Sequence, residues 1–385
     1  MSSSTAPLSK STLEYLTEFH NKTGKIHVGV DLASRVVQVC YYSYAHKRII
    51  NKEIRTTELE KFLNEFKRGS LIVGFEACGS SHYWARRVRE LDHEYRCFMG
   101  AHIKGRRGMS KTDKIDAMAI FKATIEIDSE EYSIECKSEV HQLLSSLMVT
   151  RASIVKQKVI SINALRALAY EHGLIFPPDI SHNKAVKYVQ ELYTNLCAKH
   201  GSESMICYLF NISAQAYIEQ INGSLRIIES LDKDIKRISH QNETCQLLRT
   251  IPGVGYVVSL MLYIAGYNIN NFKNAKHFAG FCGIAPHVEG SGGVSSTISM
   301  RHYGNRQLAS LLYIGAMSHY SQKIKKLLEN SNNEKLVALR NKRRKVIICA
   351  IANHIAKSAY AVIRDKKPYV STKASGFITA FNESK

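Results

Sequence analysis

The sequence predicts an α/β-plus-α protein: a mixed sheet near the N-terminus, a long helical middle and a mainly helical C-terminal region. Three observations carry this expectation. β-Branched and aromatic runs separated by polar breaks fill residues 26–54, as in a three-strand meander. Helix-like and strand-like stretches then alternate to residue 99, the order of a mixed α/β sheet. From about Val140 onward, apolar residues recur at three- and four-residue steps, a helical period.

The elements follow in order. Strands are expected at 26–31, 36–42 and 48–54, a helix at 59–66, and a strand over 71–75 that ends at Glu76. A helix at 81–91 and a strand at 95–99 come next. Val140, Leu144, Leu147, Ile154, Ile162, Leu165 and Leu168 mark a long helix. Ile218, Ile221, Leu225, Ile228, Ile235 and Ile238 mark a second, in which Asp232 alone breaks the 3-4 alternation. Such a seam suits a coiled coil between chains or a helical hairpin within one. Beyond Thr250, Ile251-Pro252-Gly253-Val254-Gly255 opens an apolar helix, and Gly290-Ser291-Gly292-Gly293 forms a glycine-rich loop. Helices around 308–317 and 345–363 close the chain. The expected divisions are a polar leader at 1–24, the α/β domain at 25–137 and a helical, coiled-coil-like region at 138–245. A C-terminal domain at 246–345 and a final helix and tail at 346–385 complete them.

Composition narrows the function. Hydrophobic residues at 45% and charged residues at 22% describe a chain that folds, and 385 residues are more than a single core usually takes. The 53 basic residues against 33 acidic ones leave a formal charge of +20, which calls for a polyanionic partner, nucleic acid before an anionic membrane. Nine cysteines without a CxxC pair argue against a disulfide framework or a zinc site. MSSSTAPLSK has no apolar core of a signal peptide, and the apolar stretch at 254–265 is too short to span a bilayer. The expectation is a protein of the reducing cytoplasm, without a membrane.

Four carboxylates stand where chemistry could use them. Asp31 ends the first strand and Glu76 the fourth; if those strands are neighbours, both reach one sheet edge. Asp113 and Asp116 are three apart, so on a helix they share a face with Cβ atoms about 5–6 Å apart. Hard oxygen donors suit Mg²⁺ or Mn²⁺. Two such ions roughly 3.5–4 Å apart activate a nucleophile and stabilise a leaving oxygen in phosphodiester chemistry. Each acid alone has a plainer role: Asp31 and Glu76 in turns, Ser110 with Asp113 in a capping box. Together in so basic a chain they need a neutralising partner, which a metal supplies.

Ser291 lies among glycines that let a backbone approach phosphate, a place for a nucleophile or for a simple turn. The segment from Ile251 to Gly255 looks like a helix-hairpin-helix turn, in which N–H groups near Gly253 and Gly255 hold DNA phosphate; Pro in a first helical turn explains it equally. Lys104, Arg106, Arg107, Lys111, Arg301, Arg306, Arg343 and Arg344 are the basic residues placed for phosphate contacts.

These segments stand in the order of a known family. The Asp31 strand, Glu76-Ala77-Cys78-Gly79-Ser80-Ser81, Lys111-Thr112-Asp113-Lys114-Ile115-Asp116-Ala117, Ile251-Pro252-Gly253-Val254-Gly255, and Gly283-Ile284-Ala285-Pro286 before Ser291-Gly292-Gly293 resemble the DEDD-type insertion-sequence transposases. That group includes the Piv pilin-gene invertases and the bridge-RNA-guided recombinases, and the resemblance runs over about residues 25–345. It implies an RNase H-like (RuvC-like) domain with Asp31, Glu76, Asp113 and Asp116 as metal ligands, a coiled-coil insertion, and a C-terminal transposase domain whose Ser291 joins covalently to DNA. It also implies DNA as substrate, action as a homodimer or tetramer at the bacterial nucleoid and, in many members, a structured non-coding guide RNA. The chain departs from the pattern after Ser291, where Val294-Ser295-Ser296-Thr297 and Ala309 replace residues that are commonly basic. The alternatives are a RuvC-like two-metal nuclease with water as nucleophile and an inactive nucleic-acid-binding relative.

Overall fold

In the computed structural model the described residues are 8–107, 112–176, 182–291, 294–300, 304–325 and 342–370, with backbone alone for 182–183, 286–291, 294–300 and 323–324. They divide into two compact units, Met1–Gln142 and Leu143–Lys385.

The first unit is built on a five-stranded sheet of order β3-β2-β1-β4-β5. Helix α1 (Lys10–Thr23) precedes it; β1 is Ile26–Asp31, β2 Val36–Ser43 and β3 Arg48–Arg55. Helix α2 (Leu59–Asn64), β4 (Leu71–Glu76), α3 (Ser81–Glu90), β5 (Glu94–Phe98), α4 (Gly100–Lys104) and α5 (Asp113–Thr124) follow. The first three strands form an antiparallel meander, and β4 and β5 run parallel to β1. Alternation along each strand sends Val28, Val30, Val73 and Phe75 into a core with Leu59, Phe62, Leu63 and Trp84 from α2 and α3. On the opposite face Cys40 packs with Leu16 of α1 and with Met118 and Phe121 of α5.

Residues 1–24, expected as a polar leader, therefore contain a helix that belongs to the core. Ser9 caps α1 by accepting from the Thr12 N–H, and Gly24, with φ at 70°, ends it. Leu16 is 1% exposed, Tyr44 donates its hydroxyl to the Leu16 carbonyl, and the Phe19 ring packs 4.7 Å from that of His27, which together anchor the helix.

Two glycines decide where α5 lies. Gly29 of β1 and Gly74 of β4 are in register on neighbouring strands. A Cβ on Gly29 would come within 2.3 Å of the Phe121 backbone nitrogen and 2.6 Å of the Ala117 carbonyl oxygen; one on Gly74 would lie 1.8 Å from Thr124 Oγ1. The helix thus rests directly on sheet backbone, a close approach that only glycine allows.

Among the described residues the second unit is helical apart from one hairpin. Helices α6 (Glu139–Glu171), α7 (His182–His200) and α8 (Met205–Gln241) carry the long periodic segments. Ile162, Leu165 and Ala169 bury against Val189, Phe210, Ala214, Ile218 and Ile221. Pairs Arg151–Asp232 at 2.5 Å and Ser161–Gln220 at 3.0 Å make α6 and α8 antiparallel partners within one chain. Asp232, the break in the apolar repeat, is the residue that meets Arg151. Helices α9 (Glu243–Leu248), α10 (Tyr256–Ala265), α11 (Ala275–Phe281), α12 (Arg306–His319) and α13 (Arg344–Asp365) share a second core. Among the described residues α10, as expected of the segment at 254–265, is too short to cross a membrane, and α13 alone is long and apolar enough. Its Ile347, Ile348, Ile351, Ile355 and Val362 are instead buried in that core. None of the nine cysteines is paired in a disulfide.

Candidate functional site

Val30 pairs with Phe75, which sets Asp31 and Glu76 side by side at the C-terminal ends of two parallel strands. The N-terminus of α5 delivers the other two acids. Thr112 is the N-cap, accepting from the Ile115 N–H, and Ser110, expected in a capping box, lies outside the described residues. Asp113 is the first helical residue and remains exposed, whereas Asp116, one turn on, is buried at 5% exposure. Gly100, first residue of α4, completes the floor: a Cβ there would lie 2.7 Å from Glu76 Oε1.

Asp31 feels the other three carboxylates. Burial raises the Asp31 carboxyl from 3.8 to about 6, and the negative charges of Asp116, Asp113 and Glu76 push it the same way. The opposing influence is Arg107. Its guanidinium pairs with Glu76 and places Nε 2.7 Å from Asp116 Oδ1. That second contact is charge without alignment: Arg107 Nε and Asp116 Oδ1 are both buried with no hydrogen bond. Arg106 behaves differently, donating from Nε to Glu126 at 2.6 Å and from its terminal nitrogens to Glu126 and the His102 carbonyl.

Among the described residues no three His, Cys, Asp or Glu side chains stand as a ready-made metal set. The donors nonetheless fit a hard divalent cation: an all-oxygen set, like charges held together at a strand edge, and a buried carboxylate oxygen on Asp116 without a hydrogen bond.

The serine expected in a loop ends a strand. Strand β6 (Pro286–Ser291) pairs antiparallel with β7 (Val294–Met300), Ser291 facing Val294 in register. A bulge follows His287, and Ser295 faces Gly290. Gly292, Gly293, Lys111 and Arg301 lie outside the described residues.

The turn before α10 serves packing at one glycine and is open at the other. Gly253 has φ +85° and its missing Cβ would lie 2.8 Å from the Gly315 carbonyl oxygen of α12. Gly255, the N-cap of α10, has nothing within 4 Å of that position. Of the basic residues singled out, Lys104, Arg306, Arg343 and Arg344 are exposed, Arg344 lying 5.7 Å from the Tyr320 ring centre. Arg106 and Arg107, expected at phosphates, face acidic side chains instead. The role of Arg107 in the cluster and the glycines beneath α5 leave no local sequence signal, because each is defined by a partner many residues away.

Residues 28–172 match a DEDD transposase family model, and residues 245–330 match one described as the transposase IS116/IS110/IS902 family. The transposase for insertion sequence element IS1111A of Coxiella burnetii is 26% identical, over 83% of this chain and 88% of its own length. That for element IS1328 of Yersinia enterocolitica is 25% identical over 87% and 96%. The pilin gene-inverting protein of Moraxella bovis is 22% identical over 90% and 98%. The carboxylates fall in the first matched segment and Ser291 in the second, and the chain belongs to the DEDD-type insertion-sequence transposase family.

Proposed function

We propose that this protein is a DNA transposase or site-specific recombinase that cuts and rejoins DNA through a phosphoseryl intermediate. The observation that carries the reading is the convergence of Asp31, Glu76, Asp113 and Asp116 at one end of the sheet, where burial and then the charges of the other three raise the Asp31 carboxyl. The strand order, a meander followed by two strands parallel to its first, supports the RNase H-like assignment.

The four carboxylates would hold Mg²⁺ or Mn²⁺. Such ions, when bound, polarise phosphate oxygens and favour an ionised hydroxyl nucleophile. Ser291 Oγ then attacks the scissile phosphorus: the Oγ–P bond forms, the P–O bond to the departing DNA hydroxyl breaks, and the serine proton passes through the cluster to water. A hydroxyl of a second DNA end attacks the phosphoseryl link and returns Oγ with a proton, so no bond energy is lost between cutting and joining. Assembly as a homodimer or tetramer would let the acids of one protomer meet the serine of another. A structured guide RNA would choose the DNA, and Lys104, Arg306, Arg343 and Arg344 would hold phosphates without reading sequence.

The test incubates protein, Mg²⁺, flanking RNA and element-end DNA and resolves the products on a denaturing gel. The expected result is a DNA–protein adduct that disappears with Ser291→Ala and with Asp31→Asn. Cleavage that survives Ser291→Ala makes water the nucleophile and the protein a nuclease. Binding without adduct or cleavage leaves a non-catalytic relative.

A further inference from the structure

We propose that Arg107 is a resident counter-cation of the carboxylate cluster, that divalent metal displaces it, and that the displaced guanidinium passes to a phosphate of bound DNA. The inference rests on the reading that the cluster takes metal, and it concerns what the chain does before metal arrives. Arg107 touches two of the four proposed ligands at once, Glu76 and Asp116, from beyond the C-terminus of α4 and outside any helix or strand. Its side chain is 21% exposed and that of Asp116 7%, so solvent does little to neutralise the acid in its place.

Arg107 donates from a terminal nitrogen to Glu76, but its contact with Asp116 has the form of an exchangeable partner. Arg106, one residue earlier, shows what a settled pair looks like here, with aligned hydrogen bonds to Glu126, outside the cluster. Arg107 Nε sits 2.7 Å from Asp116 Oδ1 with neither atom in a hydrogen bond. A cation that forms direct oxygen bonds gives Asp116 Oδ1 what the arginine does not. A directly bound ion needs the Glu76 and Asp116 oxygens that Arg107 now occupies. Metal binding is therefore competitive with Arg107. Once released, the guanidinium is a buried-edge cation without its acids, and its planar fork matches two phosphate oxygens.

The experiment measures Mn²⁺ affinity from the electron paramagnetic resonance signal of the free ion, using full-length wild type, Arg107→Gln, Arg107→Lys and Asp31→Asn without DNA. Removing the competitor tightens Mn²⁺ binding in Arg107→Gln by about tenfold, with Arg107→Lys between it and wild type. A second reading follows DNA binding by anisotropy: Mn²⁺ strengthens it in wild type, and Arg107→Gln abolishes that gain. Equal or weaker Mn²⁺ binding by Arg107→Gln overturns the proposal; if that variant does not fold, wild-type affinity in Arg107→Lys does the same. Unchanged DNA binding on adding Mn²⁺ removes the transfer to phosphate. If Asp31→Asn leaves Mn²⁺ binding intact, the metal reading of the cluster fails, and this inference with it.

Discussion

The carboxylate cluster and the serine hairpin are built on opposite principles. The cluster is assembled from three separated stretches, and its groups repel one another; the backbone holds them together through strand register and the seat of α5 on Gly29 and Gly74. The serine stands on a hairpin in which Ser291 faces Val294 three residues later, so its position is set locally. Charges forced together at a sheet edge lower stability until a cation offsets them, whereas a hydroxyl at a strand end costs nothing to place. The first region should thus couple chemistry to stability, pH and cations. The second should couple to chemistry alone.

The sharpest contrast comes from Ser291→Ala. Loss of the proposed nucleophile should reduce adduct formation by a factor of about 10³ or more while the melting temperature stays within about 1 °C of wild type. A large stability loss would break the comparison by making the hairpin structural. Next in size is Gly29→Ala, whose new methyl meets the Phe121 and Ala117 backbone and lifts α5 off the sheet. Denaturant unfolding should show a loss of about 3 kcal/mol, with adduct formation lost as well because Asp113 and Asp116 move.

The pH dependence is smaller and has a definite sign. The Asp31 carboxyl titrates at about 6 in the folded protein against 3.8 ordinarily, so the folded state binds that proton more tightly than the unfolded chain does. The penalty for ionising it is absent below about pH 4, grows through about pH 6 and is complete above. Asp31→Asn, which cannot ionise, should therefore gain stability over wild type in chelator at about pH 7.5 and lose most of that gain at about pH 4. Melting curves at the two pH values check it; a pH-independent difference would contradict the cause. The smallest effect tests the second unit's indifference to charge. Arg151→Ala removes a partly exposed pair with Asp232 and should cost about 1 kcal/mol or less by denaturant unfolding.

How much was legible follows the same division. The meander and the strands ending at Asp31 and Glu76 follow from β-branched runs, and the Asp113–Asp116 spacing already implies a shared helix face. Their convergence needed strand order, which β1 and β4 supply and no local pattern records. Helix α1 escaped notice because Leu16 is its one fully buried residue on a polar segment. The strand after Ser291 was readable in Val294, Thr297 and Ile298, yet glycines drew attention to a loop. Arg107 sits in a basic run and so resembles a phosphate contact; only the fold reveals that it meets Glu76, 31 residues earlier. The helical seam left two options open, and the Arg151–Asp232 and Ser161–Gln220 pairs select the one within the chain for those contacts.

The central claim is that Asp31, Glu76, Asp113 and Asp116 form one cation site. Anomalous diffraction from crystals grown with Mn²⁺ tests it most directly. The account predicts a manganese peak bounded by those four carboxylates, with Arg107 turned away from Glu76 and Asp116. Manganese bound elsewhere, with Arg107 still seated between the two acids, would contradict it.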